Sequence, residues 1–252
     1  MAGEAEGRGW RRVVSGRIAA WAAAAAGPAR AAVARGGAAG WRCGGTWFVG
    51  LDALPNGPDG AMGGVEFPWR DLGLAPVPLH PGQLSVTRAG YPRPSEEEGE
   101  AAYRFRLLRD AAHLDGLLPV GPDKRRMVKE PHGWILGLPL NRAGAGAAPL
   151  VVWEGSHLVM GAALRAAFAG VRGPLEDHDI TEVYQAARRQ VFETCRRVEL
   201  PGTPGEAVVL HRHLIHGVAP WAEGAEAEEP GRMVAYFRPV MASVAAWLGQ
   251  EG

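Results

Sequence analysis

Cysteine is scarce: only Cys43 and Cys195 occur in 252 residues, with neither a paired spacing nor a cysteine metal motif. That excludes a disulfide-stapled scaffold and a zinc ribbon, and it fits a reducing compartment such as the cytoplasm. Charge of one sign is also lacking. Lys plus Arg and Asp plus Glu both number 27, so there is no global attraction to nucleic acid or to an anionic membrane. The chain has no Walker loop, GxGxxG, nucleophile elbow, zinc-knuckle spacing or internal repeat, and no aromatic-basic interleaving for stacking on bases. The apolar run Ile18 to Ala26 is far too short to span a bilayer. Although Arg11, Arg12 and Arg17 precede it like the charged part of an export signal, it is mostly alanine and a basic segment, Arg30 to Arg35, follows. Val14, Ile18, Trp21 and Ala25 instead mark one helical face.

What is present fits one domain, 1–252, long enough to bury a core without staples. The spacing predicts an N-terminal helical segment (1–40), read as two Ala-rich helices broken at Gly27-Pro28. Strands are predicted at 46–51, 84–91, 103–108, 133–140, 149–153, 206–211 and 231–238, rich in β-branched and aromatic residues and bounded by Gly/Pro turns. Residues 119–131 read as a charged connection. A helical insertion (158–195) carries the stripe Ile180, Val183, Tyr184, Ala187 and Val191, a packing face. The class expected is mainly β with helical additions: a double-stranded β-helix, or cupin-like jelly roll, with its core over 84–240.

The chemistry-bearing stretch is His113-Leu114-Asp115. On an extended backbone, side chains two apart share a side, so one imidazole and one carboxylate face a single ion. A second histidine from a later strand would complete the facial arrangement of two histidines and one carboxylate, which leaves positions open on iron(II). His211, His213 and His216 all lie near the end of one apolar strand. His216, followed by Gly-Val-Ala-Pro, is the preferred ligand because that turn presents its ring at the strand's mouth. Arg232 opens the last strand and is the natural bidentate partner for a cosubstrate carboxylate, with Arg238 on the same face as the alternative. Asp52, Asn56, Trp69 and the 119–131 connection with Lys124, Arg125 and Arg126 are candidates to meet the substrate.

Taken in order, His113-Leu-Asp115-Gly116, Pro149 to His157 (PLVVWEGSH), Gly205 to His211, His216-Gly217 and Gly231-Arg232 resemble the phytanoyl-CoA dioxygenase-like branch of iron(II)/2-oxoglutarate-dependent oxygenases. The resemblance covers roughly residues 84–240. It implies His113, Asp115 and His216 as iron ligands and Arg232 on the distal carboxylate of 2-oxoglutarate. It also implies Trp134 beside that cosubstrate, dioxygen as oxidant, and a small-molecule substrate hydroxylated with release of succinate and carbon dioxide. Related halogenases replace the carboxylate ligand, so Asp115 favours hydroxylation. Two departures stand out: a longer loop between His216 and Arg232, and Val218 where the family often has a hydroxyl. The alternatives are another metal on the same ligands, or a non-catalytic jelly-roll binding module. The sequence sets no oligomeric state.

Overall fold

The structure, a computed structural model, describes residues 7–95 and 98–249. The strands are β1 (Trp10–Val14), β2 (Trp41–Arg42), β3 (Trp47–Gly50), β4 (Gln83–Thr87), β5 (Leu117–Val120), β6 (Arg125–Val128), β7 (Trp134–Pro139), β8 (Leu150–Glu154), β9 (Arg196–Leu200), β10 (Glu206–His211), β11 (His216–Val218) and β12 (Arg232–Phe237). The helices are α1 (Gly16–Gly36), α2 (Trp69–Leu72), α3 (Glu100–Arg109), α4 (Ser156–Phe168), α5 (Thr181–Thr194) and α6 (Val244–Leu248).

A seven-stranded sheet, order β1-β10-β7-β12-β4-β3-β2, faces a three-stranded sheet, order β11-β8-β9, and β5-β6 form a separate hairpin. All pairings are antiparallel. Strand alternation divides each sheet into two faces. Ile135, Leu150, Val152, Leu200, Val208 and Leu210 form the apolar layer between the sheets. Leu136, Leu138, Ala207, Val209, Ala235 and Phe237 point the other way, onto Ile18, Trp21, Ala22 and Ala25 of α1. Behind the small sheet, Val151 and Trp153 pack with Met160, Leu164, Tyr184, Val191 and Trp247 from α4, α5 and α6. The architecture is the expected β jelly roll with helical additions.

Four local expectations are corrected. Residues 16–36 form one helix, not two, with Pro28 inside it. The proline removes a single hydrogen bond to the Ala24 carbonyl; both residues are half-buried, and the Ala-rich packing face continues on either side. The N-terminal segment is not only helical, because β1 forms an edge of the large sheet by pairing with β10. The sheet therefore extends well before residue 84. Residues 103–108 lie in helix α3, not a strand: Glu100 in the first turn and Arg106 and Arg109 in the last complement the helix dipole. Residues 119–131 contain most of the β5-β6 hairpin. Among the described residues no helix is long and apolar enough to cross a membrane, and both cysteines are free.

Candidate metal centre

Helix α3 ends at Asp110, whose φ of 53° is followed by 52° at Ala111, turning the chain sharply toward β11. There His113 and His216 exchange backbone hydrogen bonds, His113 N to His216 O at 2.9 Å and His216 N to His113 O at 3.2 Å. This single antiparallel pair sets the two rings side by side, with centroids 4.7 Å apart. Two glycines permit the approach. A Cβ on Gly217 would lie 2.1 Å from the Asp110 carbonyl oxygen, and one on Gly116 2.3 Å from that of Glu130. The Asp-Gly and His-Gly pairs in the sequence thus have a steric cause.

The three side chains converge. Asp115 Oδ1 lies 3.1 Å from His113 Nε2 and 3.7 Å from His216 Nε2, and the three donor atoms fall within 4.8 Å of one another. Ligands about 2.1 Å from an ion at right angles to each other sit about 3 Å apart, so only small shifts would seat a cation. Each imidazole is oriented by its other nitrogen. His113 Nδ1 pairs with the Ala111 carbonyl and His216 Nδ1 with that of Leu214, each at 2.9 Å. With Nδ1 as donor, Nε2 carries the free lone pair and faces Asp115. Among the described residues this is the one group of three or more such side chains close enough to share an ion.

The protonation states of Asp115 and His216 are those a metal requires. Burial works to raise the Asp115 carboxyl, but His216, His113 and Arg238 outweigh it and hold it well below the usual carboxylate range. Burial lowers His216 to about 4. An ionised carboxylate and a neutral imidazole are the forms a cation requires. At His113 burial works to lower the imidazole, but the Asp115 carboxylate outweighs it and raises it, so an ion there would have to displace a proton. The donor set fits iron(II).

Three cavities meet at His113. An inner one of about 220 Å³ lies between the sheets, bounded by Trp47, Ser85, Ile135, Leu150, Val218 and Tyr236 as well as the triad. An outer one of about 560 Å³ opens toward the hairpin and α5. A third of about 320 Å³, with Trp47, Tyr91 and Phe105 on its wall, runs alongside α3.

The two candidate arginines occupy different places. Arg238 is at the triad: its Nη1 donates to Asp115 Oδ2 at 3.2 Å and its Nη2 to Gln83 Oε1 at 2.5 Å. Arg232 lies farther along the same inner face, opposite Thr87 in register. It is 7% exposed, and its Nη1 and the Thr87 hydroxyl are both buried without a hydrogen-bond partner among the described residues. Thr87 in turn stands opposite Trp47, on the wall of the inner cavity. Tyr236 and Leu150 border both that cavity and the small hollow at Arg232.

Several expected site residues lie elsewhere. Trp134 alternates to the opposite face from Ile135, packs against the α1 layer and meets Trp69 edge-on at 6.3 Å; it is a packing residue, and Trp47 is the tryptophan on the cavity wall. His211 and His213 meet edge-to-face, centroids 5.3 Å apart, away from the triad. Asn56 holds its loop together by accepting from Gly82 N at 2.6 Å. Trp69 Nε1 donates to the Asp59 carbonyl, and exposed Asp52 lies 3.7 Å from His80. Lys124 and Arg126 do reach the outer cavity. Sequence reasoning missed Gln83 and the Arg197–Asp110 pair, in which Arg197 Nε and Nη2 donate to the two Asp110 oxygens at 2.7 and 2.8 Å. That pair pins the turn before His113 to β9. Neither had a local signal, since each joins residues distant in sequence.

No known family profile matches the sequence, and no curated protein matches it significantly. Solved structures with a similar outline include the non-heme alpha ketoglutarate dependent carbocyclase SnoK from nogalamycin biosynthesis, at 13% identity and TM-score 0.47, covering 98% of this chain and 88% of that one. The epimerase SnoN, in complex with Fe3+, alpha ketoglutarate and nogalamycin RO, is 13% identical with TM-score 0.48, covering 98% and 87%. EctD from S. alaskensis, with 2-oxoglutarate and 5-hydroxyectoine, is 14% identical with TM-score 0.44, covering 94% and 74%. At this distance the likeness is one of outline, and it is the triad's geometry that bears on chemistry.

Proposed function

We propose that the chain is an iron(II)/2-oxoglutarate-dependent oxygenase of the phytanoyl-CoA dioxygenase-like kind, acting as one domain on a small molecule in the cytoplasm. The observation that carries this is the convergence of His113 Nε2, Asp115 Oδ1 and His216 Nε2 at the junction of three cavities. With iron(II), such a site couples decarboxylation of 2-oxoglutarate to succinate with insertion of one oxygen atom of dioxygen into a substrate C–H bond. Retention of Asp115 favours hydroxylation.

The chain's own residues have separable tasks. Ala111 and Leu214 carbonyls fix the two imidazoles through Nδ1. Arg238 occupies Asp115 Oδ2 and leaves Oδ1 toward the ion, which favours one-oxygen binding and open positions for other ligands. Arg232 is the anchor for the cosubstrate's distal carboxylate. A buried guanidinium with no ion pair among the described residues, beside an unpartnered hydroxyl, calls for an anion. Arg238 is already engaged by Asp115 and Gln83, which makes it the poorer anchor. Trp47, Ile135 and Val218 line the inner cavity with apolar surface that excludes water.

Anaerobic addition of iron(II) and 2-oxoglutarate should produce a weak visible charge-transfer band, and air should then yield succinate. Absence of both would favour a binding module. Asp115→Ala should abolish the band; full succinate production by that variant would remove the carboxylate from the ligand set.

A further inference from the structure

We propose that the outer cavity receives the substrate by an anionic group, a carboxylate or phosphate, held by Arg126 and Arg188 with Lys124 at the rim. This deepens the oxygenase proposal, on which it rests, because the cavity ends at His113, Asp115 and Arg238. Its volume of about 560 Å³ is in the range of small-molecule sites.

The cations on its wall differ from their neighbours. On the same hairpin, Arg125 and Lys129 are neutralised by Asp179 and Asp177 at 2.5 and 2.7 Å. Arg126, on the other side of the strand, faces the cavity and has no ion pair among the described residues. Nor have Lys124 and Arg188. Arg188 is fixed by aromatic rings, its guanidinium 4.9 Å from the Phe105 ring centroid and 5.1 Å from that of Tyr184. An arginine held by rings keeps its donors for a ligand and loses little freedom on binding. Asp123 and Glu130 also reach the wall, but both are solvent-exposed. Glu130 sits 3.4 Å from His132 Nε2, and Asp115 is taken by the triad and Arg238. Two arginines near Phe105 and Tyr184 suit an organic anion with a flat or apolar body, oriented so that its far end reaches His113.

The test is calorimetric titration of 2-naphthoate, 2-naphthyl phosphate and 2-naphthol into protein given iron(II) and saturating 2-oxoglutarate without oxygen. Both anions should bind about tenfold or more tighter than the neutral naphthol, with an affinity that falls as salt rises. Arg126→Gln and Arg188→Gln should each weaken the anions about tenfold while leaving naphthol unchanged. Arg126→Lys and Arg188→Lys, which keep the charge, should retain part of the preference and guard against a folding artefact. Equal binding of naphthol, no anion binding up to roughly 5 mM, or anion binding unchanged in the Arg126→Gln/Arg188→Gln double variant would overturn the proposal. So would loss of anion binding in Arg232→Ala alone, since that would put the probe in the cosubstrate slot. The visible band, read in the same samples, reports the oxygenase proposal independently.

Discussion

Replacing Arg232 by methionine separates cosubstrate binding from folding. The wild-type guanidinium is 7% exposed with Nη1 unpartnered, so its burial costs the ligand-free protein and its removal should leave apo stability unchanged or raised. The cosubstrate should suffer instead. Truncating one partner of a buried charge pair costs about 2–5 kcal/mol, which at 1.4 kcal/mol per tenfold is a loss of roughly 30-fold to several thousandfold in 2-oxoglutarate affinity. Thermal unfolding reads both effects at once. With metal present and 2-oxoglutarate at about 100 times its Kd, binding adds about 2.7 kcal/mol, or roughly 5–10 °C in Tm for a chain of this length. The Arg232→Met protein should keep a third of that shift or less at the same concentration: about 0.9 kcal/mol after a roughly 30-fold loss, and almost nothing after a several-thousandfold one. Arg238→Gln should lose metal affinity about 10- to 100-fold, as expected when a ligand's supporting hydrogen bond is removed. If Arg232→Met keeps the full ligand-induced shift while Arg238→Gln loses it with metal affinity intact, the two arginines have been assigned the wrong way round.

Three further outcomes are expected. His213 is 2% exposed and burial lowers it to about 3; an unfolded histidine titrates near 6.5, so its contribution to stability is complete above that pH and lost as pH falls toward 3. Between pH 7.5 and pH 5 this amounts to about 2 kcal/mol, and the unfolding free energy of the metal-free His213→Phe variant, from urea titrations, should fall by that much less than that of wild type; parallel declines would show that His213 is not the titrating group. Gly217→Ala forces a Cβ against the Asp110 carbonyl and should lower metal affinity at least tenfold even if the protein stays folded, as checked by cobalt(II) absorption. Asp110→Asn breaks a two-pronged pair with Arg197; because Arg197 is partly exposed, the cost should be about 1–3 kcal/mol in a chemical denaturation series.

The jelly roll was legible because its central strands are short apolar runs rich in β-branched and aromatic residues, buried on both faces and bounded by Gly/Pro turns, and these are local properties. β4, β7, β8, β10 and β12 coincide with the apolar runs around Leu84, Ile135, Val151, Val208 and Val234. Where the pattern misled, another local force outweighed it. Tyr103, Phe105 and Leu107 alternate with charge, yet the Glu100 start and the arginines at the end favour a helix, and its alternation is coincidental. Trp134 was misplaced for a different reason: its strand was identified, but one residue of register decides between cavity and helix layer. His113, Asp115 and His216 were readable as candidates to share one ion from their residue types and from the strand end where His216 lies, and their donor atoms do converge; the backbone pairing of His113 with His216 was not readable. The Asp110–Arg197 and Arg238–Gln83 contacts that position them join residues 87 and 155 apart, and nothing local marks them.

Two arginines stand on the inner side at β12, Arg232 as its first residue and Arg238 just past its end, and the charges of the proposed site give both a use. A divalent ion held as proposed, on two neutral imidazoles and one carboxylate, would keep a net positive charge, and Arg238 at Asp115 Oδ2 would increase it. Such a centre, with Arg232 farther in, would prefer a dianion that reaches from metal to guanidinium over a monoanion that meets only one of them. Even with a dianion bound, the local sum remains positive, because Arg238 and Arg232 together with the ion exceed the charge of Asp115 and the dianion. The unpaired Arg126 and Arg188 of the outer cavity extend that excess toward solvent. A single field would then draw in cosubstrate and substrate in turn, so raising ionic strength should slow association of both while leaving a neutral probe such as 2-naphthol unaffected.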